Sequence, residues 1–541
     1  MPRKFLNGFV LAFSLLIGPG LWASCYGRSV AVTELPNPLD DDRPPGSPPE
    51  LPRAEVQLPG AGTSGVVRVV ANSDDFQSAI DDAKPGDVIA LLPGSVYRGS
   101  LTLPKKEGDE WITIRTNVPD GTFPVRGTRV GPSDARMMPV IESDDESAIQ
   151  AEAGAHHYRF IGIEIRPKAG VYIRNLVLLG VGANTVEDLP HHLIFERCYV
   201  HGDPNVGGRR GIALNTRDAA VVDSYFSDFK GEGEDTQAIL VWNGTGPLAI
   251  INNYLEAAGE NIMFGGSDPA IINLVPSDIV IRNNHLSKPL SWRNSHWTIK
   301  NLFELKNARR VLIEHNLLEY NWPQAQNGYS IVFTPRNQDG DSPWSMVRDI
   351  TFRNNLVRHV SSGMNILGTD DIHPSQQTKR ILIRDNVFDD VSNVNWEGFG
   401  NVFQILSGAA DITVDHNTAF ETNAVLVASG ELNHGFTFTN NIVLNAVYGV
   451  GGDNYYGDPA GALSTYFPGA VFRANVIQGG RASDYPTGNF FPDSMSNIGF
   501  ANYAGGDYRL QANSPYKNAG TDGKDIGANI DVGSRMRSVR H

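Results

Sequence analysis

The chain has 541 residues, of which 41% are apolar and 19% are charged, so it can bury a large core and is not disordered throughout. Its formal charge of −15 argues against nucleic acid as a partner, because the overall field repels another polyanion. Cys25 and Cys198 are its two cysteines, a number that excludes a disulfide framework.

The first 25 residues predict an export signal. Arg3 and Lys4 precede the apolar run FVLAFSLLIG, and the small residues Ala23 and Ser24 follow it. We therefore expect an extracytoplasmic protein that is secreted, periplasmic or lipid-anchored at the cell surface. Lipid anchoring stays open because Cys25, directly after LWAS, resembles the cysteine of a bacterial lipoprotein signal.

Residues 26–65 predict a disordered tether. They contain LPNPLDDDRPPGSPPELPR, whose proline and acidic residues favour an extended chain that cannot pack a core. Downstream of the signal, no apolar run in the sequence reaches the roughly 18 residues that a transmembrane helix needs. We therefore expect no transmembrane span.

An asparagine motif then recurs along the chain, as IINNYL, VIRNNHL, LIEHNLL, TFRNNLV, LIRDNVF, TVDHNTA, TFTNNIV and FRANVI. The aligned asparagines are Asn253, Asn284, Asn316, Asn355, Asn386, Asn417, Asn441 and Asn475. Their spacings run from 24 to 39 residues, which is too irregular for helical hairpins but natural for a coil with variable loops. The repeat therefore predicts a solenoid in which each unit is one turn.

Each unit holds a short alternating strand before the asparagine and a second apolar run about 15 to 20 residues after it. Asparagine tolerates a left-handed backbone, and its amide can bond both to the backbone and to the same residue one turn along. We therefore predict that the asparagines turn a tight corner and stack as a buried ladder.

With this repeat, residues 66–530 resemble the pectate-lyase-like right-handed parallel β-helix superfamily. The stretch DDFQSAIDDAKPGDVIALLPGSVYRGSLTL resembles the usual start, a short capping helix and a first turn, and DYRLQANSPYKNAGTDGKDIGA resembles the usual closing segment. The resemblance implies an all-β fold, a single right-handed parallel β-helix over residues 66–535 with a short N-terminal capping helix.

The second strands, such as NIMFGG, NLFELKN and SIVFTPR, should form one parallel sheet along the coil. In the superfamily, substrate lies in a groove over this sheet. From Arg282 to Arg310 the chain has seven lysines or arginines and one acid, Glu304, which favours an anion-binding groove. We therefore expect an acidic polysaccharide as partner and a monomeric protein.

Glu304 and Lys306 lie two apart on one strand and so share a face. Either they are a buried pair that closes a turn, or they are placed for catalysis. The stretch FELKNARRVLIEHN resembles the polysaccharide lyase family of chondroitinase B and alginate lyases. The resemblance implies β-elimination on a uronate polymer, with Glu304 as a calcium ligand, Lys306 as the base and Arg336 as its catalytic partner.

Further site residues follow from their place in the sequence. Calcium prefers hard oxygen ligands, so Asp235, Glu260 and Glu304 are the expected ligands of a Ca²⁺ ion that neutralises the uronate carboxylate. Cations and aromatic faces suit an acidic sugar. The expected substrate-binding residues are Arg293, Trp297, Lys300, Arg310 and Tyr329.

Two other functions remain open at this point. Asp370 and Asp371 in LGTDD offer the paired carboxylates of a polygalacturonase-like glycoside hydrolase. A tethered β-helix can also bind glycan without cleaving it.

Overall fold

A computed structural model describes residues 43–60, 64–119 and 121–533. The predicted signal, residues 1–25, and Cys25 with it lie outside the described residues. Within the described residues the chain winds into a right-handed parallel β-helix of three long sheets, as predicted. None of the helices in this part of the chain is long and apolar enough to cross a membrane.

The strands in chain order are β1 (Val67–Val70), β2 (Val88–Leu91), β3 (Val96–Arg98), β4 (Leu101–Leu103), β5 (Ile112–Thr116), β6 (Val140–Ser143), β7 (Ile149–Ala151), β8 (His156–Ile161), β9 (Glu164–Pro167), β10 (Val177–Leu179), β11 (His191–Glu196), β12 (Tyr199–His201), β13 (Arg210–Leu214), β14 (Ala219–Val222), β15 (Tyr225–Phe229), β16 (Gln237–Val241), β17 (Leu248–Ile251), β18 (Tyr254–Ala257), β19 (Glu260–Phe264) and β20 (Ser277–Arg282). They continue with β21 (His285–Ser287), β22 (Phe303–Leu305), β23 (Ala308–Glu314), β24 (Leu317–Asn321), β25 (Tyr329–Phe333), β26 (Val347–Arg353), β27 (Leu356–Val360), β28 (Ser362–Leu367), β29 (Lys379–Arg384), β30 (Val387–Val391), β31 (Asn401–Leu406), β32 (Ala410–Asp415), β33 (Thr418–Glu421), β34 (Ala424–Ser429), β35 (Thr437–Thr439), β36 (Ile442–Leu444), β37 (Gly449–Gly452), β38 (Val471–Arg473), β39 (Val476–Gln478), β40 (Phe500–Asn502) and β41 (Asp507–Leu510).

The helices are short. They are α1 (Phe76–Asp82), α2 (Asn393–Trp396) and α3 (Pro459–Tyr466), with 3₁₀ turns at Ser73–Asp75, Pro132–Met137, Leu290–Trp292, Ala482–Asp484, Met495–Asn497 and Tyr503–Gly505. α1 is the predicted capping helix, and its buried Phe76, Ala79 and Ile80 belong to the main core. It thereby covers the apolar end of the coil that a solenoid otherwise exposes.

Each coil contributes one strand to each of three sheets. Among the described residues, sheet 1 holds 14 strands, sheet 2 holds 13 and sheet 3 holds 12. Sheet 1 contains β1, β2, β5, β8, β11, β14, β17, β20, β23, β26, β29, β32, β35 and β38; sheet 2 contains β3 and every third strand from β6 to β39; sheet 3 contains β4 and every third strand from β7 to β37. β40 and β41 pair antiparallel outside these sheets.

The core lies inside the coil and is built from in-register apolar columns. In sheet 1, one column runs through Ile250, Ile281, Ile313, Phe352, Ile383 and Val414. Every one of these residues is at most 1% exposed. A one-residue slip would turn such a column towards solvent, so the apolar pattern sets the register.

The asparagine ladder occupies the corner between sheets 1 and 2. Each Nδ2 donates to the Oδ1 of the next asparagine at 2.9–3.1 Å, without a break from Asn253 to Asn475. The left-handed residue, however, is the one before each ladder asparagine, such as Asn283 (φ 58°) or Asn354 (φ 53°). The predicted stacking is therefore confirmed, while the left-handed turn belongs to the preceding position.

The sequence pattern missed one strand in each coil. Sheet 2 begins directly after the ladder asparagine, for example at His285–Ser287 and Leu356–Val360. These strands are short and follow sheet 1 after a two-residue corner, so the two strands look like one apolar run in the sequence.

Part of the predicted tether is not a free chain. We call residues 43–60 the strap; the strap lies along the outside of sheet 1. Arg43 Nη1 donates to Asp349 Oδ1 at 2.9 Å, and the backbone N–H of Arg53 donates to Asp278 Oδ1 at 2.8 Å. Val56 and Leu58 pack against an apolar patch on the outer face of sheet 1. The tether prediction is thus wrong for the strap, because charged and apolar groups of sheet 1 hold it in place.

Candidate functional site

The outer face of sheet 3 carries the main polar cluster. Arg210, Gln237 and Glu260 lie in register on β13, β16 and β19, and Arg210 Nε donates to Gln237 Oε1 at 3.0 Å. Gln237 Nε2 in turn donates to Glu260 Oε2 at 2.7 Å. A polar row therefore runs across three coils on a face whose other columns are largely apolar.

Lys300 closes this row. Its Nζ lies 2.5 Å from Asp235 Oδ1 and 3.6 Å from Glu260 Oε1. Burial, helped by the charges of Asp235 and Glu304, raises the pKa of Glu260 to about 7 despite the opposing charge of Lys300. Burial by itself lowers the pKa of Lys300, but the charges of Glu260 and Asp235 outweigh burial and raise it.

Lys306 and Glu304 form the neighbouring pair. Glu304 stands between Met263 and Val332 in an outward column, and its carboxylate is 2% exposed. Lys306 Nζ lies 3.2 Å from Glu304 Oε1, and Asn301 Nδ2 donates to Glu304 Oε2 at 2.7 Å. Lys306 is 17% exposed, so its side chain is directed towards the outside of the coil.

A cavity of about 210 Å³ opens beside these residues. Arg209, Arg210 and Trp242 line one part, and the Arg210 guanidinium lies 5.7 Å from the centre of the Trp242 ring. Burial lowers the pKa of Arg210 to about 10, and the charges of Arg209 and Arg174 act in the same direction. A cation stacked on an indole suits an acidic sugar, which has both a carboxylate and an apolar ring face.

Two glycines bring Lys306 to this cavity. Gly265 (φ 90°) and Gly266 (φ 84°) line it, and a Cβ on Gly265 would lie 2.9 Å from the Cβ of Lys306. A side chain at Gly265 would therefore clash and would strain the left-handed backbone. The close approach places Lys306 at the edge of the cavity.

The predicted calcium ligands do not fit a Ca²⁺ ion in this arrangement. Asp235 and Glu260 both bind the ammonium of Lys300, and Glu304 binds that of Lys306. Calcium takes six to eight oxygen ligands at about 2.3–2.6 Å. Among the described residues, these carboxylates do not come together with other metal-binding side chains as a group of three or more that could hold an ion.

Arg336 lies one coil from Lys306 but has other partners. Its backbone N–H donates to the Lys306 carbonyl at 3.0 Å. Its guanidinium, however, lies 2.7 Å from Asp370 Oδ1 and 3.3 Å from Asp371 Oδ1. Asp370 also accepts a bond from the Asn337 backbone N–H. The two aspartates therefore anchor Arg336, which disfavours the flanking carboxylates of a hydrolase.

The other predicted substrate-binding residues are dispersed. Arg293 binds Glu397 at 3.1 Å, and Trp297 packs beside Lys230, whose Nζ lies 5.4 Å from the ring centre. Tyr329 is 4% exposed and accepts a bond from Asn401 Nδ2. Arg310 lies on sheet 1, where it makes a bidentate pair with Asp278. Of the five, the structure places only Lys300 in the cluster on sheet 3.

The basic run from Arg282 to Arg310 is therefore not one cationic surface. Arg282 binds Glu314 on sheet 1. Lys288 is buried, and its Nζ donates to the carbonyls of Ala257 and Gly259 at 2.7 Å. The cations Arg209 and Arg210 of the cavity come instead from NVGGRRGIAL, outside the run. Their sequence signal is a pair of arginines at the start of strand β13.

No protein-family model matches the chain, and no curated protein matches it. Solved structures do. The PL6 family alginate lyase AlyGC matches with a TM-score of 0.52 at 12% identity, over 86% of this chain and 59% of that one. This chain thus spans less than two thirds of the length of AlyGC. A second PL6 alginate lyase, in complex with a trisaccharide, gives 0.47 at 11% identity over 82% and 92%.

The A-module of the mannuronan C-5 epimerase AlgE6 of Azotobacter vinelandii gives a TM-score of 0.37 at 12% identity, over 76% of this chain and 97% of that one. At 12% identity the likeness to AlyGC shows the fold alone, a right-handed parallel β-helix.

Proposed function

We propose that this protein binds a uronate-containing polysaccharide across sheet 3 and cleaves it by β-elimination. The observation that carries the proposal is the cavity itself, which combines Arg209 and Arg210 with the Trp242 ring and has Lys306 at its edge. The likeness in fold to alginate lyases supports the same class of substrate.

Arg210 is suited to hold a uronate carboxylate. Its Nε and Nη1 donate to Gln237 and Asn175, which fixes the plane of the guanidinium. The third nitrogen of Arg210, Nη2, donates no hydrogen bond to the described residues, so it can donate to a ligand. A planar fork of donors is the preferred partner of a carboxylate, and the adjacent indole offers a face for the sugar ring.

The distance between Arg210 and Lys306 along sheet 3 suits an oligosaccharide. Neighbouring strands lie about 4.8 Å apart, so Arg210 on β13 and Lys306, next to β22 three strands along, are roughly 14 Å apart or more. One sugar cannot reach both residues. Arg210 therefore holds a sugar some way along the chain from the one that meets Lys306, and binding energy from the remote sugar positions the reacting one.

The elimination balances with Lys306 as the base. Nζ takes the C5 proton, the electron pair of that bond forms the C4–C5 double bond, and the C4–O glycosidic bond breaks. The same proton then passes to the leaving oxygen, which regenerates the amine. Lys300, on which the charge of Glu304 also acts, is the cation that we assign to the carboxylate of the reacting sugar.

Glu304 positions Lys306 and supplies a route to the free amine. Nζ must lose its own proton before it can accept another, and Glu304 Oε1 lies 3.2 Å away as an acceptor. Asn301 holds the second oxygen of that carboxylate. Glu304 is thus a positioning residue. When substrate binds, Lys306 leaves its ion pair with Glu304 and contacts the sugar.

Two buried polar atoms in the polar cluster on sheet 3 are also consistent with a hydroxyl-rich ligand. Asn301 Oδ1 is buried and accepts no hydrogen bond from the described residues. Glu260 Oε1 is also buried, and its contact there is the 3.6 Å ion pair with Lys300, which is too long for a hydrogen bond. An oxygen without a donor in such a place costs free energy, which a sugar hydroxyl or a water molecule can relieve.

The test is a set of variants on a panel of uronate polymers. Lys306→Ala should abolish cleavage and keep binding, whereas Arg210→Ala should weaken binding, because it removes a charge-assisted bond of about 1.5–3 kcal/mol. Lys168→Ala, an exposed lysine outside the groove, is the control and should behave as wild type. Wild-type cleavage by a folded Lys306→Ala variant would contradict the catalytic role.

A role in binding without cleavage is the second candidate. The ion pairs of Lys300 and Lys306 favour it, because both ammonium groups are held by buried carboxylates. In that case wild-type protein binds the polymers and releases no products.

We also propose that the protein is exported from the cytoplasm. A signal over residues 1–25 would deliver the protein to extracellular polysaccharide, and cell fractionation with intact-mass measurement would show whether the signal is removed or Cys25 is lipidated.

A further inference from the structure

Four histidines form a compact group on the outer face of sheet 1, whereas the cavity described above lies on sheet 3. They occupy the first two positions of β8 and of β11, which are neighbouring strands, and they are His156, His157, His191 and His192. His156 and His191 are in register, one coil apart. The histidine pairs therefore stand one above the other.

The rings contact each other in both directions. Across the coils, the His156 and His191 rings stack at 4.8 Å, and the His157 and His192 rings stack at 4.3 Å. Within each coil the Nδ1 atoms approach to 2.8 Å for His156–His157 and 2.7 Å for His191–His192. Four imidazoles thus share one site.

The backbone explains why consecutive histidines meet. Neighbouring residues of a regular strand point to opposite faces. His157 (φ 59°) and His192 (φ 52°) are left-handed, which interrupts this alternation and brings both rings of each pair to the outer face. Other coils use the same left-handed position for ion pairs, such as Arg310 with Asp278 and Arg380 with Asp349. At the two histidine coils, imidazoles take the place of those charges.

We propose that His157, His191 and His192 bind a first-row transition ion such as Zn²⁺, with His156 beside them. One nitrogen from each of the three lies within 4.8 Å of the others. Zinc–nitrogen bonds are about 2.0–2.1 Å long and tetrahedral, so two nitrogens on one ion lie about 3.4 Å apart. The nitrogens must therefore approach each other by up to about 1.4 Å, which requires rotation about the side-chain bonds of the histidines.

The surroundings suit such an ion. Imidazole is the common ligand of zinc, copper and nickel, and it binds as the neutral ring. The Trp111 ring lies 5.2 Å from His157 and belongs to the apolar patch that Val56 and Leu58 of the strap cover. An apolar wall beside imidazole ligands limits access of water to the ion.

The consequence is a metal staple between two coils. Because the ligands come from β8 and β11, the ion stabilises the folded state of both and is released on unfolding. The site shares no residue with the cavity on sheet 3, so it is independent of the proposed function.

The test uses the full-length protein without a histidine tag, treated with a chelator and then titrated with Zn²⁺ alone. We expect stoichiometric binding by calorimetry and a rise in melting temperature. The double variant His157→Gln/His192→Gln should lose more affinity than the roughly 10- to 100-fold that loss of an outer-shell partner costs. His434→Gln, an exposed histidine elsewhere, is the matched control and should bind as wild type does.

X-ray absorption of the wild-type zinc complex keeps the test independent of variant folding. A shell of imidazole nitrogens at about 2.0 Å supports the site. Failure of the wild-type protein to take up Zn²⁺, a zinc shell without imidazole, or unchanged affinity in a folded double variant would overturn it.

Discussion

Replacement of Asn355 by alanine in the middle of the ladder should destabilise the protein strongly. Asn355 is fully buried, and its amide makes four hydrogen bonds. Oδ1 accepts from the backbone N–H and the Nδ2 of Asn316 at 2.9 and 3.0 Å. Nδ2 donates to the carbonyl of Ile313 and to Asn386 Oδ1 at 3.0 and 3.1 Å.

The size of the destabilisation depends on which hydrogen-bonding groups around residue 355 keep a partner in the variant. Asn316 Nδ2 still donates to Ile281, and Asn386 Oδ1 still accepts from the backbone N–H of residue 355. The backbone N–H of Asn316 loses its acceptor, which costs about 1–3 kcal/mol, and the other lost bonds add to this cost. We expect a loss of about 3 kcal/mol in the free energy of unfolding, within a factor of two.

Urea unfolding followed by circular dichroism measures this loss. Asn117→Ala, at an exposed asparagine, is the control and should change the free energy by less than about 0.5 kcal/mol. Asn355→Asp is a more specific variant, because it keeps the Oδ1 acceptor but replaces Nδ2 by an oxygen that faces the Ile313 carbonyl and Asn386 Oδ1. It should therefore lower the free energy of unfolding at least as much as Asn355→Ala does. If Asn355→Ala unfolds like the Asn117 control, the ladder does not hold the coils together.

Three further predictions follow from the structure. Burial raises the pKa of Glu196, but Arg126, Arg159 and Arg197 outweigh burial and lower the pKa to about 2. The ionised Glu196 side chain therefore stabilises the fold by roughly 3 kcal/mol above about pH 4.5. This contribution disappears as the pH falls to 2. Glu196→Gln should destabilise at pH 7 and have little effect near pH 2 in melting experiments, and an equal effect at both pH values would refute the pairing. A chain that begins at residue 61 should melt below one that begins at Arg43, because it lacks the strap; equal melting temperatures would show that the strap contributes nothing. Cleavage should survive EDTA, since lysines hold the carboxylates near the cavity, and loss of activity that Ca²⁺ restores would favour the calcium site instead.

The fold was predictable because it repeats. Eight asparagines in phase, each after an alternating strand, specify a coil and its corner, and the structure places all of them in one ladder. The strands of sheet 2 were missed because they are short and begin directly at that corner. The strap was missed because its contacts with Asp278 and Asp349 are tertiary, and composition alone favours a free chain.

The site was less predictable, since charge along the sequence does not say where a side chain lies. Glu304 and Lys306 stood out in the sequence because a carboxylate interrupts an apolar column, and periodicity shows such an interruption. Lys300 was named only as one cation of the basic run. Lys288, in the same basic run, turned out to bind buried carbonyls, a role that depends on the path of another segment. Arg210 and Trp242 meet only because β13 and β16 are neighbours. Histidine pairs one coil apart, by contrast, are a signal that the sequence does contain.

The most direct test of the central claim is the mass of the products that the wild-type protein releases from uronate polymers. β-Elimination adds no water, so the fragment masses sum to that of the substrate, and one fragment carries an unsaturated uronate that absorbs in the ultraviolet. The account predicts this result for at least one acidic polymer, together with its loss in Lys306→Ala. Fragment masses whose sum exceeds that of the substrate by one water for each bond cleaved would establish hydrolysis. Retained binding without any fragments would leave the cavity with a binding role alone.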